Sequence, residues 1–327
     1  MFTPQAGFKK MGTGPVASKI MAEKRKRLFK KEDGALYVMA LPGVLFLVVF
    51  CYLPMAGLVM AFQDYHNTLG IMGSRFIGLG NFKFLFSTTD AFIITRNTVL
   101  YNLVFIVFNM CLAVVMALML SVLRTRKTAK VVQTLYMLPY FLSYAVINIV
   151  VYAFLYRDHG LVNELLGHYG LPDKTNWYQQ AWLWPPLLVF VNAWKNVGYQ
   201  TVLYLAVISG ISQDYYEAAM LDGASKFQQA LRITLPHLRF IVGISIIMSM
   251  GSIFRGDFGL FYTVPRNTGM IYRVTDVIDT YIYRGLTYLN NVGMSTAAGL
   301  YQSVVGFILV LIVNAVVNKI DPDSAMF

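Results

Sequence analysis

Long apolar segments constrain the fold of this chain more than any other feature of its sequence. The first, residues 35–62, offers 28 residues, whereas a helix needs about 20 to cross the ~30 Å hydrocarbon core of a bilayer. Over the whole chain 57% of residues are hydrophobic and 13% are charged, against about 25% charged in soluble domains. We therefore predict an all-α membrane protein. Six transmembrane helices are predicted, at residues 35–62, 91–123, 131–156, 181–209, 240–262 and 297–317.

Basic residues indicate which helix ends face the cytoplasm. Nine of the 27 Lys and Arg residues precede residue 32, and four more occupy the turn 124–130. Since cytoplasmic loops are enriched in Lys and Arg, both termini are predicted to be cytoplasmic. The alternation then places residues 211–238 inside and residues 263–296 outside, although the outer segment carries three Arg residues against two Asp.

These boundaries predict a basic cytoplasmic segment (1–34), a transmembrane domain (35–320) and a cytoplasmic tail (321–327). The net charge of +11 does not by itself indicate nucleic acid, because the basic run lies directly before the first apolar segment, where it faces anionic lipid headgroups. No aromatic stacking platform accompanies it. Membrane lipid, and no nucleic acid, is the predicted partner.

Cysteine and histidine give no sign of a metal or catalytic centre. Cys51 and Cys111 both lie within apolar segments, where a small buried hydrophobe is the ordinary role of cysteine. The four His residues form no metal-ligand spacing. We predict no catalytic residue, no metal and no cofactor bound by this chain.

A polar stretch, residues 211–238, interrupts the apolar chain between the fourth and fifth segments. Asp214 and Glu217 have the Asp-x-x-Glu spacing of a capping-box variant, which predicts a helix start near Tyr215. The dipeptide Asp222–Gly223 predicts the end of this helix, since Gly accepts left-handed backbone there. The stretch therefore begins with a short helix that stops at a glycine.

A second helix is predicted from Ala224 to Arg232, ended or kinked by Pro236 before the fifth segment. The two helices form a helix–turn–helix on the cytoplasmic face, with the small side chains of Ala218 and Ala219 near its bend. Such a bend lets the surface of another protein approach closely. A plain amphipathic loop between two membrane helices is the other interpretation of these residues.

The spacing within the stretch resembles the EAA motif of bacterial ABC import permeases, which reads Glu-Ala-Ala, three residues, Gly, nine residues and Ile-x-Leu-Pro. Every fixed position occurs here without gap or insertion: Glu217, Ala218, Ala219, Gly223, Ile233, Leu235 and Pro236. Family members often have Pro-x-Glu-Leu where this chain has Ser-Gln-Asp-Tyr at 212–215. That departure concerns the helix cap rather than the motif.

The resemblance extends over about residues 35–320. The stretch from Trp194 to Pro236 is similar to carbohydrate (maltose-type) permeases. The sequences DTYIYRGL, from Asp279, and GLYQSVVGFILVLIVN, from Gly299, resemble the LplB-like branch associated with complex oligosaccharides and aldouronates. The resemblance implies the type I importer permease fold in the cytoplasmic (inner) membrane.

The resemblance also implies partners and a mechanism. A second permease subunit, usually non-identical, pairs with this one, and two ATPase subunits beneath them hold ATP and Mg²⁺. A solute-binding protein outside delivers a saccharide, an oligosaccharide with or without uronate. The implied ATPase-coupling residues are Glu217, Ala218, Ala219, Asp222, Gly223, Ile233, Leu235 and Pro236. Glu217 would accept a hydrogen bond from a basic ATPase residue.

The chain is not predicted to hydrolyse ATP itself. Its sequence contains no Gly-Lys dipeptide, so it cannot contain the G-x-x-x-x-G-K-[ST] phosphate loop. This absence excludes a permease fused to its own phosphate-loop ATPase domain, and the chain is interpreted as a transport subunit rather than an enzyme.

A polar stripe within the fourth segment is the candidate substrate path. Asn192, Lys195, Asn196 and Tyr199 are offset by 3, 4 and 7 residues and so share one helical face. A lysine near a bilayer centre costs about 2.5–3.5 kcal/mol on insertion scales, so Lys195 must face protein or water. The stripe either lines the path, with Lys195 meeting a substrate carboxylate, or fixes helix packing by hydrogen bonds.

Two other function classes are weighed against an importer subunit. A membrane-embedded glycan or lipid transferase requires clustered carboxylates or His at a membrane interface, and no such cluster occurs in the sequence. A self-contained secondary transporter requires inverted repeats with matching helix breaks, and no repeat is evident.

Overall fold

The computed structural model describes residues 34–123 and 125–320. The predicted cytoplasmic tail, and the predicted basic segment except for Gly34, lie outside the described residues. The chain divides after Gly57 into two units, which are taken in turn.

The first unit is helical throughout its described part. Helix α1 (Gly34–Leu47) contains Pro42 and continues into a π-helical turn, Val48–Tyr52, and then a 3₁₀ stretch, Leu53–Phe62, that crosses the unit boundary. Pro54 lies at the start of this stretch, where it cannot donate an i→i−4 hydrogen bond. Large apolar side chains of α1 are exposed, Met39 by 78%, as a bilayer-facing helix requires.

The second unit contains a small β-hairpin and a series of helices. Its strands are β1 (Gln63–Asp64) and β2 (Arg75–Phe76), which pair antiparallel with Gln63 opposite Phe76. Its helices are α2 (Gly70–Gly73), α3 (Gly80–Ser87), α4 (Thr89–Val122), α5 (Arg126–Met137), α6 (Tyr144–Leu155), α7 (Leu161–His168), α8 (Trp184–Ser209), α9 (Gln213–Leu221), α10 (Lys226–Gln229), α11 (Leu235–Met250), α12 (Tyr272–Thr275), α13 (Ile278–Thr287) and α14 (Val292–Ile320). The fold is helical apart from this hairpin.

Four helical stretches of the described chain are long and apolar enough to cross a membrane. They are Leu36–Phe62, Thr89–Val122, Lys226–Met250 and Val292–Val316. Helix α8 has 26 residues, about 39 Å at 1.5 Å per residue, but it is not among them. Its Asn and Lys residues lower its hydropathy. The predicted count of six therefore stays a prediction.

The predicted third segment, 131–156, is not one straight helix. The helical stretches Lys127–Phe141 and Tyr144–Leu155 meet at an angle of 96°. Pro139 removes one backbone donor before the bend, and the side chain of Ser143 caps the new helix by accepting from the amide of Val146. The sequence alone did not predict this break.

The predicted fifth segment, 240–262, is shifted toward the N-terminus in the structure. The helical stretch begins at Lys226 and ends at Met250, so Pro236 does not end it. A π-helical turn, Ala230–Thr234, ends two residues before this proline, and the helix continues past the missing N–H of Pro236. Between Met250 and the π-helical turn Gly259–Thr263 the backbone turns, and it does so at Gly251.

Helices α4 and α8 pack closely through small residues. Ala113 and Ala117 of α4 are buried with Ala193 and Val197 of α8 in one apolar cluster. Small side chains at such contacts let membrane helices approach each other. This pairing fixes the face of α8 that carries the polar stripe.

Candidate functional site: a polar loop and a polar cavity

The polar loop begins with helix α9, whose N-terminal cap is Ser212. Its hydroxyl accepts from the amide of Asp214 at 3.3 Å and donates to the Asp214 carboxylate at 3.1 Å. The helix starts at Gln213, two residues before the predicted start at Tyr215. The predicted Asp214–Glu217 capping box is therefore wrong, because Ser212 caps the helix two residues earlier.

The loop turns where the sequence predicts, at Gly223. This glycine has φ +77°, a left-handed conformation that L side chains rarely adopt. The amide of Ala224 donates to the carbonyl of Ala219 at 2.9 Å, and the amide of Gly223 donates to that of Met220 at 3.0 Å. These two bonds form a Schellman motif, with Asp222 as the C-cap.

The second helix of the loop begins at Lys226, within the predicted range. Ser225 caps it through a complete capping box with Gln228. Tyr216 of α9 and Thr234 of the following π-helical turn share a hydrogen bond of 3.0 Å between their hydroxyls. The bond connects the first helix of the loop to the residue directly before the N-terminus of α11.

The surface of the loop is exposed and partly apolar. Helix α9 has no buried residue, and Glu217 and Ala218 are exposed. The side chain of Leu221 is 90% exposed and that of Phe227 73%. Of the motif's other members, Ala219 and Ile233 are half-buried and Asp222, Gly223, Leu235 and Pro236 are exposed. Exposed apolar side chains around a polar bend suit contact with another protein.

A polar cavity of about 310 Å³ lies between α4, α8 and the segment after α11. Three of the four predicted path residues line it: Asn192, Asn196 and Tyr199. Other polar residues at its wall are Asn102, Asn109, Gln200, Ser249, Ser252, Arg255 and Asp257. Its size and hydroxyl- and amide-rich wall suit a sugar unit better than an apolar ligand.

Amide groups connect α4 and α8 at this cavity. Asn109 donates from Nδ2 to Oδ1 of Asn192 at 2.8 Å, and both side chains are buried. Asn196 donates to the backbone carbonyl of Asn192 at 3.0 Å. The Oδ1 atom of Asn109 and the Oε1 atom of Gln200 are buried without a partner in the described part of the chain. These two oxygen atoms can therefore still accept a hydrogen bond from a bound hydroxyl.

Lys195 does not line the cavity. Its ammonium donates to the backbone carbonyls of Tyr140 and Leu142 at 2.9 and 2.5 Å, both at the bend between α5 and α6. The structure thus separates Lys195 from the three residues with which the sequence grouped it. Ser245 and Ser249 bond to carbonyls of their own helix, although Ser249 also reaches the cavity wall.

Arg255 and Asp257 are the charged residues of the cavity wall. Two arginines of the segment 263–296 are engaged within the chain: Arg284 pairs with Asp276 and stacks on Tyr272, and Arg266 stacks on Tyr152 at 4.0 Å. The guanidinium of Arg255 has no hydrogen bond or ion pair with residues 34–123 or 125–320. Its hydrogen-bond donors are therefore available to an anion, although its charge already acts on the carboxylate of Asp279.

Two cavity residues that sequence reasoning missed carried a readable signal. Asn102 and Asn109 are seven residues apart in the second predicted segment, which places them on one helical face. There was no such indication in the sequence for Arg255 and Asp257, because both fall within the predicted fifth helix, 240–262, whereas the observed helix ends at Met250. Among the described residues no His, Cys, Asp or Glu group could hold a metal ion.

A family described as "Binding-protein-dependent transport system inner membrane component" matches residues 109–322. The polygalacturonan/rhamnogalacturonan transport system permease protein YteP of Bacillus subtilis is 35% identical, with 92% of this chain and 94% of that protein covered. Protein LplB of the same organism is 32% identical, over 90% and 92% of the two chains.

Solved structures agree with these sequence matches. A chain of a bacterial ABC transporter involved in the import of the acidic polysaccharide alginate superimposes with a TM-score of 0.80 at 30% identity, covering 92% of this chain and 99% of that one. A chain of an alginate ABC transporter in complex with alginate pentasaccharide-bound periplasmic protein gives 0.78 at 31% identity, over 89% and 96%. The protein described here belongs to the family of binding-protein-dependent transport system inner membrane components, and it is a multi-pass ABC transporter permease of the inner membrane.

Proposed function

We propose that this chain imports a saccharide as one permease subunit of an ATP-driven transporter. The observation that carries the proposal is the exposed loop around Gly223, whose motif spacing resembles that of importer permeases and whose bend has apolar side chains on its surface. The relatives whose names specify polygalacturonan, rhamnogalacturonan or alginate support an oligosaccharide as the substrate.

The proposed assembly contains three kinds of protein partner. A second, non-identical permease completes the pathway, two ATPase subunits with ATP and Mg²⁺ dock on the loop 211–238, and an external solute-binding protein delivers the saccharide. The alginate transporter that was solved in complex with a periplasmic protein supports the last of these. Rotation of α9 by the closing ATPases would reorient the permeases from inward-facing to outward-facing.

The test of the loop is Gly223→Asp, compared with Gly170→Asp. Both glycines have positive φ, +77° and +69°, and a Cβ at either would meet nothing within 4 Å, so the backbone strain is matched. The chain is expressed with its neighbouring permease and a family ATPase. We expect Gly223→Asp to lose the ATPase on purification or to uncouple hydrolysis from uptake, while Gly170→Asp behaves as wild type. Equal behaviour of the two variants would remove the main support for the coupling role.

The proposed topology has six spans with both termini and the loop 211–238 in the cytoplasm. Leu221 and Tyr169 are 90% and 76% exposed and would lie on opposite sides of the membrane. Single cysteines at these positions, in a chain lacking Cys51 and Cys111, are labelled in intact cells with a membrane-impermeant maleimide. We expect label at 169 and protection at 221, and the reverse pattern would invert the topology.

The proposed substrate carries a carboxylate, which Arg255 binds in the cavity. The test is uptake of an acidic and a neutral oligosaccharide of equal length by Arg255→Gln, with Arg157→Gln as the control. The side chain of Arg157 makes no hydrogen bond or ion pair within the described chain. We expect Arg255→Gln to raise KM for the acidic saccharide at least tenfold, since a charge-assisted hydrogen bond contributes about 1.5–3 kcal/mol. Equal changes for both saccharides would argue for a neutral substrate.

A further inference from the structure

The bend between α5 and α6 leaves backbone groups that need partners. The helical stretch before it ends in a 3₁₀ turn, Leu138–Phe141, and the chain then changes direction by 96°. The last carbonyls of a helix have no partner within it. In a membrane, non-helical backbone is tolerated only where protein or a water-filled cavity satisfies such groups.

Lys195 supplies these partners. Its Nζ atom donates to the carbonyls of Tyr140 and Leu142 at 2.9 and 2.5 Å. The ammonium also lies 5.7 Å from the ring centroid of Tyr140 and 5.1 Å from that of Tyr144, within the range of cation–π attraction. The ammonium of Lys195 therefore interacts with residues before the bend and with Tyr144 after it.

Tyr144, the first residue of α6, fastens the bend at a second point. Its hydroxyl donates to Oδ2 of Asp257 at 2.5 Å, and Oδ1 of Asp257 accepts from the amide of Leu260 at 3.3 Å. The ring lies directly against Gly259, where an added Cβ would be 2.4 Å from Cδ2 of Tyr144. Asp257 belongs to the cavity wall, so this contact joins the bend to the cavity.

The bend also contacts the opposite wall of the cavity. Tyr140 stacks on Tyr199, with ring centroids 4.9 Å apart and an interplanar angle of 12°. Tyr199 lines the cavity. A movement of the bend would therefore move Tyr199 on one side and Asp257 on the other.

We propose that Lys195 is a positioning residue rather than a saccharide ligand: with Tyr144 it forms a two-point tether that holds the α5–α6 bend against the polar cavity and so sets the shape of the cavity wall. The tether is built from two hydrogen bonds to carbonyls on the α8 side and one hydroxyl–carboxylate bond on the Asp257 side. In transport, the bend acts as a fixed support against which the substrate pathway opens and closes.

The first test measures amide hydrogen exchange over residues 142–148 in the assembled transporter without saccharide. The variants are Lys195→Met, Lys195→Arg and the control Lys83→Met, an exposed lysine on α3. We expect exchange at these amides to rise about tenfold or more in Lys195→Met, because charge-assisted bonds that hold the bend closed are lost. Lys195→Arg, which keeps the charge and the donors, is expected to restore slow exchange. Unchanged exchange in Lys195→Met overturns the tether.

A second variant keeps the proposal testable if Lys195→Met does not assemble. Tyr144→Phe keeps the aromatic ring beside the ammonium and removes the hydroxyl that bonds to Asp257 and also interacts with Asn196. We expect faster exchange at residues 142–148 and 257–261, with Tyr169→Phe, an exposed tyrosine of the outer loop, unchanged. Exchange at the wild-type rate in Tyr144→Phe contradicts the second point of the tether.

Uptake separates a tether from a ligand, and this readout alone rests on the proposed saccharide import. For a tether, Lys195→Met lowers the maximal rate for acidic and neutral oligosaccharides alike and changes their KM values by the same factor, because the shape of the cavity wall is altered for both. For a ligand of a carboxylate, KM rises for the acidic saccharide alone, which would overturn the proposal. Because exchange needs no saccharide, a wrong substrate class would leave the exchange result intact and would fail only in uptake.

Discussion

The Nδ2 atom of Asn109 donates to Oδ1 of Asn192 at 2.8 Å between α4 and α8, with both side chains buried. Few polar contacts in the described chain join two long helices through side chains alone. The bond lies at the wall of the polar cavity, so it can influence both helix packing and transport. A double-mutant cycle distinguishes these contributions.

We predict a coupling free energy of about 0.6 kcal/mol between Asn109→Ala and Asn192→Ala, and at most about 1.7 kcal/mol, the range found for side-chain hydrogen bonds between membrane helices. The measurement is unfolding of the purified chain in mixed micelles of mild detergent and dodecyl sulfate. Additive effects of the two changes would show that the contact contributes nothing to stability. Uptake by each single variant then tests the cavity role separately.

Close packing of α8 against the end of α5 gives the second prediction. A Cβ at Gly198 would lie 2.0 Å from the backbone carbonyl oxygen of Tyr136, whereas a Cβ at Gly243 in α11 would meet nothing within 4 Å. Gly198→Ala must push the two helices apart and should cost about 1–3 kcal/mol. Gly243→Ala should be neutral or stabilising, because alanine has the higher helix propensity. Thermal unfolding of the two variants in detergent measures the difference, and equal unfolding temperatures would argue against the close approach.

The sequence predicted the features that depend on local patterns. Long apolar runs predicted a helical membrane protein, and the Gly223 turn followed from the tolerance of glycine for positive φ. The motif spacing predicted the family that the comparisons show. Each of these signals lies within about 30 consecutive residues and needs no knowledge of what packs against it.

Features that depend on partners distant in sequence were not predictable. Pro139 and the Ser143 cap are local features of 131–156, but they do not by themselves indicate a 96° bend, because a lysine more than 50 residues later satisfies the carbonyls of the break. For the same reason the helical face of Lys195 led to its prediction as a substrate-path residue. Its long side chain instead reaches the bend between α5 and α6. The predicted start of α9 was two residues late because Ser212 and Asp214 are both favourable N-cap residues, and in the structure Ser212 is the cap.

Asp279 gives a pH-dependent prediction. Its Oδ2 atom accepts from the amide of Gly256 at 2.6 Å and from Nε2 of Gln302 at 3.0 Å. Burial disfavours the carboxylate and raises the pKa of Asp279 above its ordinary value of 3.8, and these hydrogen bonds offset the shift only in part. A raised pKa in the folded state means that Asp279 stabilises the fold most below pH 3.8 and that this contribution is lost as pH rises through the folded pKa.

Asp279→Asn should therefore reduce the pH dependence of unfolding. We expect the unfolding temperature of wild type, relative to Asp279→Asn, to fall as the pH is raised from 4 toward neutrality. The control is Asp173→Asn, at an exposed site between α7 and α8. Purified protein in one detergent, scanned at pH 4, 5, 6 and 7, provides the measurement. A wild-type curve that rises over this range relative to the variant would contradict the predicted sign.

The hydrogen bond between Tyr216 and Thr234, 3.0 Å between their hydroxyl oxygens, gives the last prediction. It connects α9, the proposed contact for the ATPase, to the π-helical turn from which α11 continues toward the cavity. Tyr216→Phe removes this hydrogen bond, whose net contribution to stability is about 0.5–1.5 kcal/mol. It leaves the exposed surface of the motif unchanged. We therefore expect the ATPase to remain bound on purification while more ATP is hydrolysed for each saccharide imported.

Two further variants decide whether this bond transmits movement. Thr234→Val removes the same bond from its other side and should reproduce the effect of Tyr216→Phe. Tyr215→Phe is the matched control, because its hydroxyl makes no hydrogen bond within the described residues and the side chain is 58% exposed. Hydrolysis and uptake are measured in the same proteoliposomes. If Tyr216→Phe keeps the wild-type ratio of ATP to saccharide, α9 must act on α11 through the backbone turn at Gly223 alone.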